Sequence, residues 1–132
     1  MMQLGAVNYF AVLAAAIVAM VLGFVWYGPL FGKKWAKYVG VSEKEMMKGM
    51  PMAAVGGFVT VLISSFVLAH FVSGLALGGS LFVSVLFWLA FMLPKAAGVV
   101  LWQGKSVELF LIDASHDLVG LLLMSAVIVL LG

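Results

Sequence analysis

Residues 107–131 read VELFLIDASHDLVGLLLMSAVIVLL. As a helix this run is long enough to cross about 30 Å of hydrocarbon. It nevertheless holds Asp113, His116 and Asp117. A charge at the centre of a bilayer costs about 3 kcal/mol on insertion scales, so an ionisable residue kept there has a partner or a task. This run sets both questions about the chain: how it sits in a membrane, and what it does with the charges it buries.

Three further apolar runs lie upstream, at about 5–31, 52–71 and 81–102, and the last contains Lys95. Each is close to the roughly 20 residues that a spanning helix needs. None alternates polar and apolar residues as a barrel strand does, and lipid leaves backbone polar groups to be satisfied within a helix. Composition agrees. The chain is 66% hydrophobic and 9% charged, with a mean hydropathy of +1.27. A soluble domain of 132 residues exposes too much surface for so few charges. The expected fold is therefore all-α: one integral membrane domain, a four-helix bundle. The chain has no Cys, which excludes thiol and disulfide chemistry. The first run is read as a retained span, because no basic segment precedes it and it is too long for a signal peptide.

All seven basic residues are Lys, and their placement predicts the topology. Lys33, Lys34, Lys37, Lys44 and Lys48 lie between the first two spans, and Lys105 lies between the last two. The segment between the middle spans carries no charge. The excess of Lys on one side predicts that both Lys-bearing loops are cytoplasmic and both termini outside. Trp26, Tyr27, Trp35, Tyr38 and Trp102 fall near the same interface, where amphipathic rings settle. Within loop 32–51, Ser42-Glu43-Lys44-Glu45 forms a capping box and predicts a short interfacial helix carrying Met46, Met47 and Met50, with Pro51 in the first turn of the second span. The remaining loops are short, so consecutive spans are expected to pack as antiparallel neighbours.

Two patterns concern packing. Ala11, Ala15, Ala19 and Gly23 recur every four residues, a stripe of small side chains that lets another backbone approach closely. It suits contact within the subunit or between subunits. The first and third spans also end alike, at Phe31-Gly32-Lys33 and at Trp102-Gln103-Gly104-Lys105, a weak sign of parallel duplication.

The end of the first span, Leu22-Gly23-Phe24-Val25-Trp26-Tyr27-Gly28-Pro29-Leu30-Phe31-Gly32-Lys33-Lys34-Trp35, resembles the signature of the domain of unknown function 1761 family, small bacterial four-span membrane proteins. Weaker similarity lies in Leu93-Pro94, Gly104-Lys105 and Leu109-Phe110-Leu111-Ile112. The resemblance implies a four-helix membrane protein and carries over no catalytic residue. Neutral residues are expected in relatives at Lys95, Asp113, His116 and Asp117, which makes the charges a speciality of this chain.

Lys95 lies eight residues before Gln103, and Asp113 eight after Lys105. At 1.5 Å per residue both are roughly 12 Å from the connecting turn, so the two are expected to meet. Asp113, His116 and Asp117 follow i, i+3, i+4 spacing and share one helix face. Pro94 frees a carbonyl one turn before Lys95. A buried ion-pair network is one reading of these four residues. A proton or ion pathway is another, since one Lys does not cancel two carboxylates. A divalent metal held by Asp113, His116 and Asp117 is a third, but the spacing is also ordinary helix geometry, and neither a metal nor a cofactor is expected. His70 near the outer end of the second span reads as an interfacial anchor, and the Met46–Met52 run as flexible filler rather than a copper site.

No nucleophile-base arrangement, phosphate loop or nucleic-acid patch is present, so neither an enzyme nor a nucleic-acid binder is expected. The chain reads as a small oligomeric transporter or channel in the bacterial cytoplasmic membrane, using Lys95, Asp113, His116 and Asp117. The alternative is an accessory or scaffold subunit of a larger membrane complex. The bilayer and a second copy, or another membrane protein, are the expected partners.

Overall fold

The computed structural model describes residues 7–132, so the first two residues of the expected span at 5–31 lie outside the described residues. Five helices follow one another: α1 (Tyr9–Leu30), α2 (Gly32–Val39), α3 (Glu43–Val72), α4 (Leu77–Gln103) and α5 (Val107–Leu131). No strand occurs among the described residues. All but α2 are long and apolar enough to cross a membrane.

Local chemistry sets the helix ends. The Asn8 side chain accepts from the amides of Phe10 and Ala11 at 3.0 and 3.2 Å, which caps α1. Its Nδ2 also donates to the Leu131 carbonyl at 3.2 Å and ties the start of α1 to the end of α5. The Ser42 hydroxyl accepts from the Glu45 amide and bonds the Glu45 carboxylate, both at 3.1 Å, the capping box of α3. Ser106 caps α5 through the Glu108 amide. Helices α2 and α4 stop at Gly40 (φ 85) and Gly104 (φ 66), left-handed positions that glycine adopts without a Cβ penalty.

The Lys-bearing connection differs from expectation. No separate interfacial helix precedes Pro51. α3 is one helix of 30 residues with Pro51 inside it. The bond lost at Pro51 would have gone to the Met47 carbonyl, and Met47 is exposed, so outside groups can take the place of the missing amide. The short surface helix is α2 instead. It buries Gly32 and Ala36 and exposes Lys33, Lys34 and Lys37.

The first and last helices form the central pair. α5 touches every other helix, α3 packs chiefly on α1, and α4 packs chiefly on α5. The apolar core lies toward the chain termini, with Val12, Ala15, Ala19, Leu68, Val72, Leu121, Met124 and Ile128 in one cluster. Ala11 and Ala15 are fully buried and Ala19 nearly so, which places the small-residue stripe inside the subunit. Buried serines join the helices at their crossings. The Ser65 hydroxyl donates to the Val12 carbonyl at 2.8 Å, and the Ser84 hydroxyl lies 3.3 Å from the Leu121 carbonyl. Because Ala15 has no spare room, Ala15→Leu should cost about 1–3 kcal/mol through overpacking. Denaturation in detergent measures this, and a wild-type midpoint would mean the stripe is loosely packed.

Two spans are interrupted by a wide turn. Trp26–Leu30 in α1 and Trp88–Met92 in α4 form π-helical turns, the first containing Pro29 and the second just before Pro94. A π turn inserts one residue and shifts the register of everything beyond it.

Candidate functional site

The α5 face bearing Asp113, His116 and Asp117 meets the wide turn of α1. The Tyr27 hydroxyl donates to Asp113 Oδ1 at 2.6 Å. His116 Nδ1 lies 3.3 Å from Asp117 Oδ1. The imidazole sits between two rings of α1, its centroid 6.1 Å from Trp26 and 4.9 Å from Tyr27. Gly23 faces it: a Cβ there would lie 3.8 Å from His116 Nε2, an ordinary contact distance. That nitrogen is buried and has no hydrogen-bond partner in the protein. Asp117 stays about one-third exposed, at 35%. The Trp35 ring of α2 packs edge-on against Tyr27 at 5.6 Å and approaches the Asp113 carboxyl group.

Two indoles hold this face in place. Trp26 Nε1 donates to the Ile112 carbonyl at 3.0 Å, and Trp88 Nε1 to the Ala114 carbonyl at 2.8 Å. Each Trp opens a π turn, and their acceptors on α5 flank Asp113. The first and third spans thus clamp the last helix by the same device. Near the loops, the Tyr38 hydroxyl bonds the Glu108 carboxylate and joins α2 to α5. That bond raises the Tyr38 pKa above the usual tyrosine value.

Lys95 is not part of the cluster. It is exposed on α4 and forms no ion pair with Asp113 or Asp117. The expectation that it meets Asp113 rested on depth alone, and rotation decides otherwise. Ser84 packs on α5, and Lys95 follows it by eleven residues. In an unbroken α-helix that is within about 20° of three full turns, so both would face α5. The residue inserted by the π turn at Trp88–Met92 rotates Lys95 by about 100° away from that face. Beyond the turn, Ala97, Val100 and Leu101 lie along Val107 and Phe110 of α5 instead.

Among the described residues no group of three or more His, Asp or Glu side chains is placed to hold a metal ion. His70 lies edge-on against Phe66 at 4.7 Å. Met47, Met50 and Met52 are exposed.

Trp26, Tyr27 and Gly23 belong to the site, although from sequence they read as interfacial anchors and as packing. The pointer to them was present: an aromatic pair beside a proline within a span, in the same stretch that carries the family signature.

Residues 10–129 match the family described as a protein of unknown function, DUF1761, and the chain belongs to that family. No curated protein matches the chain, and no solved structure does.

Proposed function

We propose that this chain is a small membrane transporter that moves protons, alone or with a small solute, through the Tyr27–Asp113 and His116–Asp117 pairs. The observation that carries this reading is the pairing itself. Two close contacts between ionisable side chains lie within one helical turn on α5, and a buried imidazole nitrogen beside them is left without a partner. Groups of this kind placed in a span are costly to keep and suit a proton relay. Nothing in the arrangement offers a nucleophile beside a base, so we read the protein as non-enzymatic.

Four helices enclose little space, and at most a third of each span's most apolar window is buried within the chain. A route between subunits of a homo-oligomer suits that exposure. By the positive-inside rule we read the Lys-bearing loops as cytoplasmic and both termini as outside, and we assign the protein to the cytoplasmic membrane of a bacterium as part of the same proposal. Reporter fusions at Gly132 and within the loop at Gly40 should then give opposite signals, and a cytoplasmic C-terminus would reverse the assigned orientation.

Vesicles loaded with a pH-sensitive dye test the transport reading. Under an imposed potential the protein should acidify or alkalise the lumen. Asp113→Asn should slow that flux by about tenfold or more, a barrier change of about 1.4 kcal/mol. Helix content should stay unchanged. Absence of flux in the parent protein, or equal flux in the variant, would overturn the reading. The same extensive lipid-facing surface favours a second reading, an accessory or scaffold subunit. Isolation in mild detergent separates the two: a larger complex that co-purifies supports the scaffold, and a stable homo-oligomer supports the transporter.

A further inference from the structure

Around their midpoints, α1 and α3 leave an open groove between them of about 470 Å³. Ile17, Val21 and Phe24 form one wall, and Val55, Phe58 and Val59 the other. No polar side chain lines it, so a transported ion or polar solute has nothing to bind there. The α3 wall continues into charge. Lys44, Lys48, Val55 and Val59 follow offsets of four, seven and four residues, which keep all four within about 60° of one another on one helical stripe. Lys48 is therefore roughly 10 Å above Val55 along the same face, and Lys44 roughly 16 Å above it. Lys33, Lys34 and Lys37 are exposed on α2, which joins the two walls. Residues 32–51 hold five Lys against two Glu, one of which is engaged in the cap at Ser42.

An apolar slot that opens sideways and ends beneath a cluster of ammonium groups matches the shape and charge of an anionic phospholipid. We infer that this groove is a binding site for one such lipid, its acyl chain against Val55 and Phe24 and its phosphate on Lys44 and Lys48. Clusters of Lys beside a span are drawn to anionic headgroups. A second copy of this chain is the poorer occupant. Rotation about the membrane normal preserves depth, so a two-fold contact through the groove would set Lys44 and Lys48 of each copy against the same residues of the other. The inference stands independently of the proton pathway, since the groove shares no residue with the Tyr27–Asp113 and His116–Asp117 pairs.

The purified protein, exchanged into nanodiscs of mixed phosphatidylglycerol and phosphatidylcholine, tests it by mass spectrometry of the lipid retained on release. Phosphatidylglycerol should be preferred by about fivefold or more, the factor that one Lys near an anionic surface supplies. The Lys44→Gln/Lys48→Gln double variant should lose the preference while still retaining lipid. Val55→Trp should displace the acyl chain and lower retention of both lipids. All three positions are exposed, so the variants should fold. Equal retention of the two lipids by the parent protein would overturn the site, as would a preference that survives both variants. A dimer that dissociates on Val55→Trp would overturn it too, by assigning the groove to a second copy.

Discussion

Gly32→Ala should destabilise the protein by about 3 kcal/mol, the top of the usual range for overpacking. Gly32 is the first residue of α2, separated by Phe31 alone from the π turn that closes α1. A Cβ at that position would lie 2.5 Å from the Tyr27 carbonyl oxygen and 3.1 Å from its carbon. Both are backbone atoms, so no side chain can swing aside to relieve the clash. The turn itself would have to open, and with it the bond from the Phe31 amide to the Trp26 carbonyl at 2.9 Å. Tyr27 and Trp26 would shift together and loosen the grip on Asp113 and Ile112. Gly28→Ala, four residues earlier, is the control. A Cβ there meets nothing within 4 Å, so the variant should stay within about 1 kcal/mol of the parent. Unfolding of both variants in mixed detergent micelles checks the contrast. Equal midpoints would mean that the turn is not held as tightly as the Cβ distance implies.

The second large effect is expected at the Tyr27–Asp113 contact. Tyr27→Phe removes the donor and leaves a carboxyl group inside the span without it, at a cost of about 2 kcal/mol for a hydrogen bond to an ionisable group. Asp113→Leu removes the acceptor and leaves a buried hydroxyl. The double variant lacks both, so its loss should be smaller than the sum of the single losses by about 1 kcal/mol or more. The pair Lys95→Met and Asp113→Leu should behave differently and add within about 0.5 kcal/mol, because the two side chains do not touch. Coupling between Lys95 and Asp113 with none between Tyr27 and Asp113 would reverse the assignment of the partner.

Much of the architecture is legible in single residues. The length and apolarity of the four runs predict four membrane-length helices, and the helices observed at Tyr9–Leu30, Glu43–Val72, Leu77–Gln103 and Val107–Leu131 are long and apolar enough to cross a membrane. Ser42 and Ser106 cap helices, and Gly40 and Gly104 end them, as short-range hydrogen bonding and backbone freedom require. The family is legible as well, through the stretch from Leu22 to Trp35. The spacing of Asp113, His116 and Asp117 already puts them on one face, because helix period alone relates i, i+3 and i+4.

Residue identity and spacing are enough for local matters: where helices begin and end, which faces are small or polar, and which residues sit at which depth. Rotation about the helix axes is set by packing. Depth follows from counting residues at a constant rise. Direction around the helix depends on an unbroken period, and two π turns break it, at Trp26–Leu30 and at Trp88–Met92. Proline marks both places in the sequence, but a proline can kink, end or widen a helix, and the packing against α5 selects the outcome. The wide turn in α1 directs Trp26 and Tyr27 at α5, and the one in α4 rotates Lys95 away from it. The partner of Asp113 was therefore not the cation at its own depth, but a hydroxyl on the first helix, 86 positions away along the chain.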